Sequence, residues 1–76
     1  MTKKTRQLIA ELSGVYGIEC KVRDDEANHG YELIFQRGRK RYKKKTEKIA
    51  FAVMPRKAIE VYIYQCFDEA VKVLGR

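Results

Sequence analysis

The chain opens with a polar stretch whose apolar residues recur at helical spacing. Leu8, Ile9, Leu12, Val15 and Tyr16 fall at i, i+1, i+4, i+7 and i+8, which predicts a helix over residues 3–14. Thr2 or Thr5 is placed to cap its start and Gly14 to end it. The period then drops to two. In GIECKVR, residues 17–23, Ile18, Cys20 and Val22 share one face while Glu19, Lys21 and Arg23 share the other, as on a half-buried strand. DDEANHG reads as a polar turn broken by Asn28 and Gly30. YELIFQ, residues 31–36, alternates again with Tyr31, Leu33 and Phe35 on one face.

The middle of the chain admits two readings. Gly38 can supply a positive φ for a tight turn, so that RKRYKKK returns as a strand with Tyr42 on the Leu33/Phe35 face. Alternatively, residues 37–46 form a long basic loop. IAFAVM, residues 49–54, then becomes the third strand with Ile49, Phe51 and Val53 inward, and a continuous strand from 41 to 54 would merge the two readings; β-branched and aromatic content favours a third strand that includes residues 49–53. Pro55 suits the first turn of a helix and not its interior. After it, Ile59, Tyr62, Ile63, Cys66, Phe67, Ala70, Val73 and Leu74 make one apolar stripe of helical period, closed by Gly75. Val61 and Tyr64 lie off the stripe and either widen the buried face or mark a homodimer contact through this helix. The expected architecture is α+β in the order α-β-β-β-α: a three-stranded antiparallel sheet with both helices on one face.

With 76 residues, 45% hydrophobic and including three Phe and five Tyr, the chain suits one small folded domain, residues 1–76. No apolar run approaches the roughly 20 residues of a membrane span, and the N-terminal segment lacks the apolar region of a signal peptide, so a cytoplasmic location is expected. Cys20 and Cys66 are far apart and belong to no CxxC; two free buried thiols are expected, with a Cys20–Cys66 disulfide as the alternative. One His with two Cys leaves no Cys/His zinc set, and no metal or cofactor is expected.

Charge changes the picture more than composition does. The net charge is +7, yet residues 1–30 are neutral, residues 31–57 carry +8 and residues 58–76 carry −1. The excess belongs to one segment, QRGRKRYKKKTEK, and its neighbours. Its cations Arg37, Arg39, Lys40, Arg41, Lys43, Lys44, Lys45 and Lys48 are candidates for phosphate contacts, with Tyr42 placed to stack on a base or ribose and Arg56 and Lys57 extending the patch. Arg offers bidentate donors, Lys a point charge. A solvated loop, or an anionic lipid surface, are the competing uses of such a run. Lys3, Lys4 and Arg6 crowd the first helical turn, the end where the helix dipole favours anions. His29 lies just after Asp24, Asp25 and Glu26 and is the one residue suited to acid–base chemistry on RNA. No phosphate loop, GxSxG or HExxH is present and Ser13 is the only serine, so an enzyme is not the expectation.

The order α-β-β-β-α, with charge between the second strand and the last helix, resembles the double-stranded-RNA-binding domain. RKA at Arg56 to Ala58, opening the last helix, is loosely similar to that family's KKxA. The resemblance implies that Arg56 and Lys57 contact major-groove phosphates, with the hairpin of the second and third strands nearby. The topology is also similar to small mRNA-interferase toxins, on the strength of His29 in NHGYELIF and of GRKR; that likeness implies a catalytic His29. The reading that follows is a small, non-enzymatic nucleic-acid-binding protein for duplex DNA or RNA. The alternative is an interaction or inhibitor module, of the kind found as phage or mobile-element accessory proteins, that binds an acidic protein partner.

Overall fold

The computed structural model describes residues 1–75. Helix α1 (Lys3–Tyr16) leads into strands β1 (Glu19–Asp25), β2 (Gly30–Arg37) and β3 (Lys40–Glu47), followed by a short helix α2 (Lys48–Val53) and a long helix α3 (Arg56–Leu74). The strands form one antiparallel sheet in the order β1-β2-β3. The α+β class and the order of helix, three strands and long helix therefore stand as the sequence pattern predicts, with a single 3-10 turn (Glu26–Asn28) between β1 and β2 and one added α-helix, α2.

That element is a correction. Residues 49–53 are not part of the third strand: they lie in α2, and the strand is the basic segment 40–47. The reason is the backbone ledger of β2. Its eight residues pair in full with Lys40–Glu47, ending at Gly30 opposite Glu47, so an extended 48–53 would have no strand to bond. A helix satisfies those groups internally. The Lys48 N–H closes the joint on the His29 carbonyl (3.1 Å). Only Phe51 then turns inward, edge-on to Tyr31 (5.7 Å) and Tyr62 (5.8 Å), while Ile49 and Val53 face solvent. Met54 is extended, as a residue before proline prefers, which separates α2 from α3.

α1 runs two residues past Gly14, and Gly17 ends it in the left-handed conformation (φ 67°). Thr2 provides the cap, its hydroxyl accepting from the Thr5 N–H at 3.2 Å. The two long helices lie side by side and parallel: Lys4 and Leu8 share a surface concavity with Arg56 and Glu60, and Tyr16 stacks on Phe67 and donates to Asp68 (3.0 Å). Ile9, Leu12, Ile18, Leu33, Phe35, Ile63 and Phe67 form the core between these helices and one face of the sheet. Four residues expected in apolar stripes or beside them do not widen it: Val15, Val61, Tyr64 and Val73 are exposed. Cys66 is buried and Cys20 half-buried; both are free thiols, and burial, with Cys66 nearby, pushes the Cys20 thiol up to about 12.

Gly30 sits where the central strand has no room for a side chain: a Cβ there would lie 2.3 Å from the Thr46 carbonyl oxygen. Gly14 has open space around it and helical geometry. Gly30→Ala should therefore destabilise the domain by about 2–3 kcal/mol, because backbone must move. Gly14→Ala should stabilise it by about 0.5–1 kcal/mol through the unfolded chain. Urea unfolding of the two variants checks the opposite signs.

Candidate functional site

The basic segment becomes a site through strand alternation. A two-residue turn, Gly38 and Arg39, joins β2 to β3 with Arg37 opposite Lys40, and Gly38 takes the positive φ (61°) that the turn needs. Tyr42, Lys44 and Thr46 then stand opposite Phe35, Leu33 and Tyr31 on the helix-covered face. Arg41, Lys43 and Lys45 stand opposite Gln36, Ile34 and Glu32 on the other face, which no helix covers.

The inward members are committed to the fold. Tyr42 stacks on Phe35 (ring centroids 6.0 Å) and donates to Glu69 on α3 (3.0 Å). Lys44 reaches the same Glu69 oxygen at 2.7 Å and lies over the Tyr62 ring. Tyr42 is thus seated on the core side and is not presented for stacking with Lys43 and Lys45. The hydrogen bond from Lys44, reinforced by the one from Tyr42, holds the Glu69 carboxyl below the usual carboxylate range. The same bond raises Lys44, and burial followed by the bond to Glu69 raises Tyr42.

Other candidates also have structural duties. Arg37 donates to the Gly75 carbonyl (2.6 Å) at the end of α3, where a cation complements the helix dipole. Lys48 pairs with Asp24 (3.2 Å), which raises its pKa, and rests over the Tyr31 ring. Arg56 pairs with Glu60 (3.4 Å) on α3. With exposed Lys57 it belongs to the helical layer, apart from the open sheet face. Arg39 occupies the turn and Lys40 the exposed start of β3.

The register also recruits two cations that the sequence reading passed over. On β1, Lys21 stands opposite Ile34 and Arg23 opposite Glu32, on the same open face. Lys21, Arg23, Arg41, Lys43 and Lys45, five cations in all, flank the central strand on both sides. The ion pairs among the described residues, Lys44–Glu69, Lys48–Asp24 and Arg56–Glu60, use none of them. Acidic Asp25 and Glu47 flank Gly30 and bound the face at one end. The signal for Lys21 and Arg23 was present in the alternation of GIECKVR; their partnership with β3 needed the pairing register.

His29 serves the turn between β1 and β2. It adopts left-handed geometry (φ 49°), its N–H donates to the Glu26 carbonyl (3.2 Å) and its carbonyl accepts from Lys48. It stands at the opposite end of β2 from Arg39, roughly 30 Å away at strand rise. Among the described residues no three His, Cys, Asp or Glu side chains converge as a metal site, and no helix is long and apolar enough to cross a membrane. No family model, no curated protein and no solved structure matches the chain.

The Glu69 clasp has a pH signature. A carboxylate whose folded pKa is lowered stabilises the fold above its unfolded value, here 4.5, and loses that contribution as pH falls through the folded pKa. Glu69→Gln should be less stable than the parent at pH 7, with the difference shrinking below about pH 4.5. Chemical unfolding of both proteins at pH 7, 4.5 and 3 measures it; a difference that stays constant down to pH 3 would remove the clasp from the ledger.

Proposed function

We propose that the chain is a cytoplasmic nucleic-acid-binding domain that grips phosphates with the open face of its sheet and acts by binding, without catalysis. The observation that carries this reading is the set of five outward cations, held by strand register on a face that, among the described residues, no helix covers and no ion pair occupies. Alternate residues of a strand lie about 6.7 Å apart on one face. Arg41, Lys43 and Lys45 therefore form a row of charges that can follow a polynucleotide backbone, with Lys21 and Arg23 as a second row. Arg39 adds a cation at the turn, while Lys40, exposed at the start of β3, has the opposite parity and stands outside the row.

The contact set is narrower than the charge run. Lys43 and Lys45 belong to it; Lys44, Tyr42 and Lys48 support the fold. On duplex DNA, neutralising Lys43 and Lys45 together to Gln should lower the slope of log affinity against log salt by about 1.8, or 0.9 for each lost phosphate contact. Lys44→Gln should leave the slope unchanged and lower thermal stability instead. Fluorescence anisotropy between 50 and 200 mM salt, with duplex DNA, duplex RNA and single strands, reads both. Failure of the parent chain to bind any of these at low salt would end the nucleic-acid reading in favour of an acidic protein partner. Intact RNA after incubation is the expected result for His29 and its Ala variant alike.

A further inference from the structure

Between the two cationic rows lies a third row of different chemistry. The open face of β2 presents Glu32, Ile34 and Gln36, flanked in register by Arg23 and Lys45, by Lys21 and Lys43, and by Glu19 and Arg41. A surface that only tracked phosphates would gain from cations or neutral polar groups here. It has a carboxylate and an aliphatic side chain at its centre. Glu32 makes no ion pair with Arg23 or Lys45 beside it, although it lines a shallow depression of about 230 Å³ with both. These three side chains match base edges: a carboxylate accepts from cytosine N4, an apolar group meets the thymine methyl, and a Gln amide pairs with adenine N6 and N7. Gln36 is already oriented, its Nε2 donating to the Gly38 carbonyl (3.1 Å) and its Oε1 accepting from Arg41 (3.4 Å). A Gln amide has two donors and two lone pairs, so one of each remains for a base.

We propose that this face enters the major groove of duplex DNA and reads a short sequence, with β1 and β3 on the flanking phosphates and Glu32, Ile34 and Gln36 on base edges. The inference rests on the nucleic-acid reading above and names its substrate. The dimensions agree. Edge strands separated by one strand stand about 10 Å apart, and the major groove of B-DNA is about 12 Å wide. From Glu32 to Gln36 the central row spans about 13 Å, which at about 3.4 Å per base pair covers four base pairs. The major groove of A-form RNA is too deep and narrow for such a sheet. Single strands are bound by stacking on aromatic rings, and this face carries none, because Tyr31, Phe35 and Tyr42 all have the inward parity. Asp25 and Glu47 close the footprint at one end by repelling phosphate.

The test is selection from a pool of duplex DNAs randomised over eight central base pairs, at about 150 mM salt. The expected result is an enriched motif of about four base pairs, bound at least ~10-fold tighter than random duplex. Ile34→Ala should erase the preference at one thymine, and replacing that thymine by deoxyuridine should weaken the parent chain equally. Glu32→Gln, nearly isosteric, separates the two kinds of binding by sign. It removes a negative charge, so a phosphate-only surface binds every duplex more tightly, whereas a base reader loses about 10-fold on its selected site. Circular dichroism confirms that each variant is folded. Lack of enrichment, equal affinity for duplex RNA or single strands, or uniformly tighter binding by Glu32→Gln would each overturn the inference while leaving phosphate binding intact. Absence of all nucleic-acid binding would overturn both.

Discussion

The division of β3 into two faces is the constraint on which the rest of the structure depends. Side chains along a strand alternate strictly, so a slip of one residue would send Lys43 and Lys45 into the core and bring Tyr42 and Lys44 out. Two features at different points of the strand oppose that slip. The turn at Gly38 and Arg39 fixes the count of residues between β2 and β3. Glu69 on α3 then takes hydrogen bonds from both Tyr42 and Lys44, which only the observed register brings to one carboxylate. The buried apolar contribution of β3 is slight, since its inward positions are Tyr, Lys and Thr. A polar clasp with a stacked ring therefore does for this edge strand what Leu33 and Phe35 do for its neighbour.

This also explains what the sequence revealed and what it hid. α3 was legible because eight apolar residues follow a helical period after Pro55, although Val73 ends outside the core. β1 and β2 were legible because Ile18, Cys20, Val22 and Tyr31, Leu33, Phe35 alternate with polar residues. β3 was ambiguous because the pattern that reveals a strand is hydrophobic, and here the buried side of the alternation is polar. The same blindness produced the misplaced strand at 49–53. Ile49, Phe51 and Val53 have the composition of a strand, but β2 ends at Gly30 and offers no further pairing. Local propensity lost to the supply of hydrogen-bond partners.

The candidate site shows the same split. That the net charge is concentrated in one segment can be read from the sequence by counting. Which cations are available cannot, because availability depends on partners from elsewhere in the chain: Glu69 for Lys44, Asp24 for Lys48, the Gly75 carbonyl for Arg37. Lys21 and Arg23 looked like ordinary solvent-facing residues of a neutral segment until the β1–β2 register set them across Ile34 and Glu32 from Lys43 and Lys45.

A final consequence concerns the energetics of like charge. Seven cations between Arg37 and Lys45 repel one another in any compact arrangement. A strand doubles the distance between neighbours on a face to about 6.7 Å, and the inward charge of Lys44 is neutralised by Glu69. The fold could have relieved the outward row in the same way by placing carboxylates opposite it. It does so at the far end, where Asp25 and Glu47 stand beside Gly30, and within the face at Glu32 and at Glu19, which stands opposite Gln36 on β1. Exposed ion pairs contribute little, so leaving the row unpaired costs little stability, and the domain keeps a directional field on one side of a neutral body. An anion reaching that side from solution meets cations that need not first break an internal pair, which lowers the cost of binding relative to a surface already laced with salt bridges.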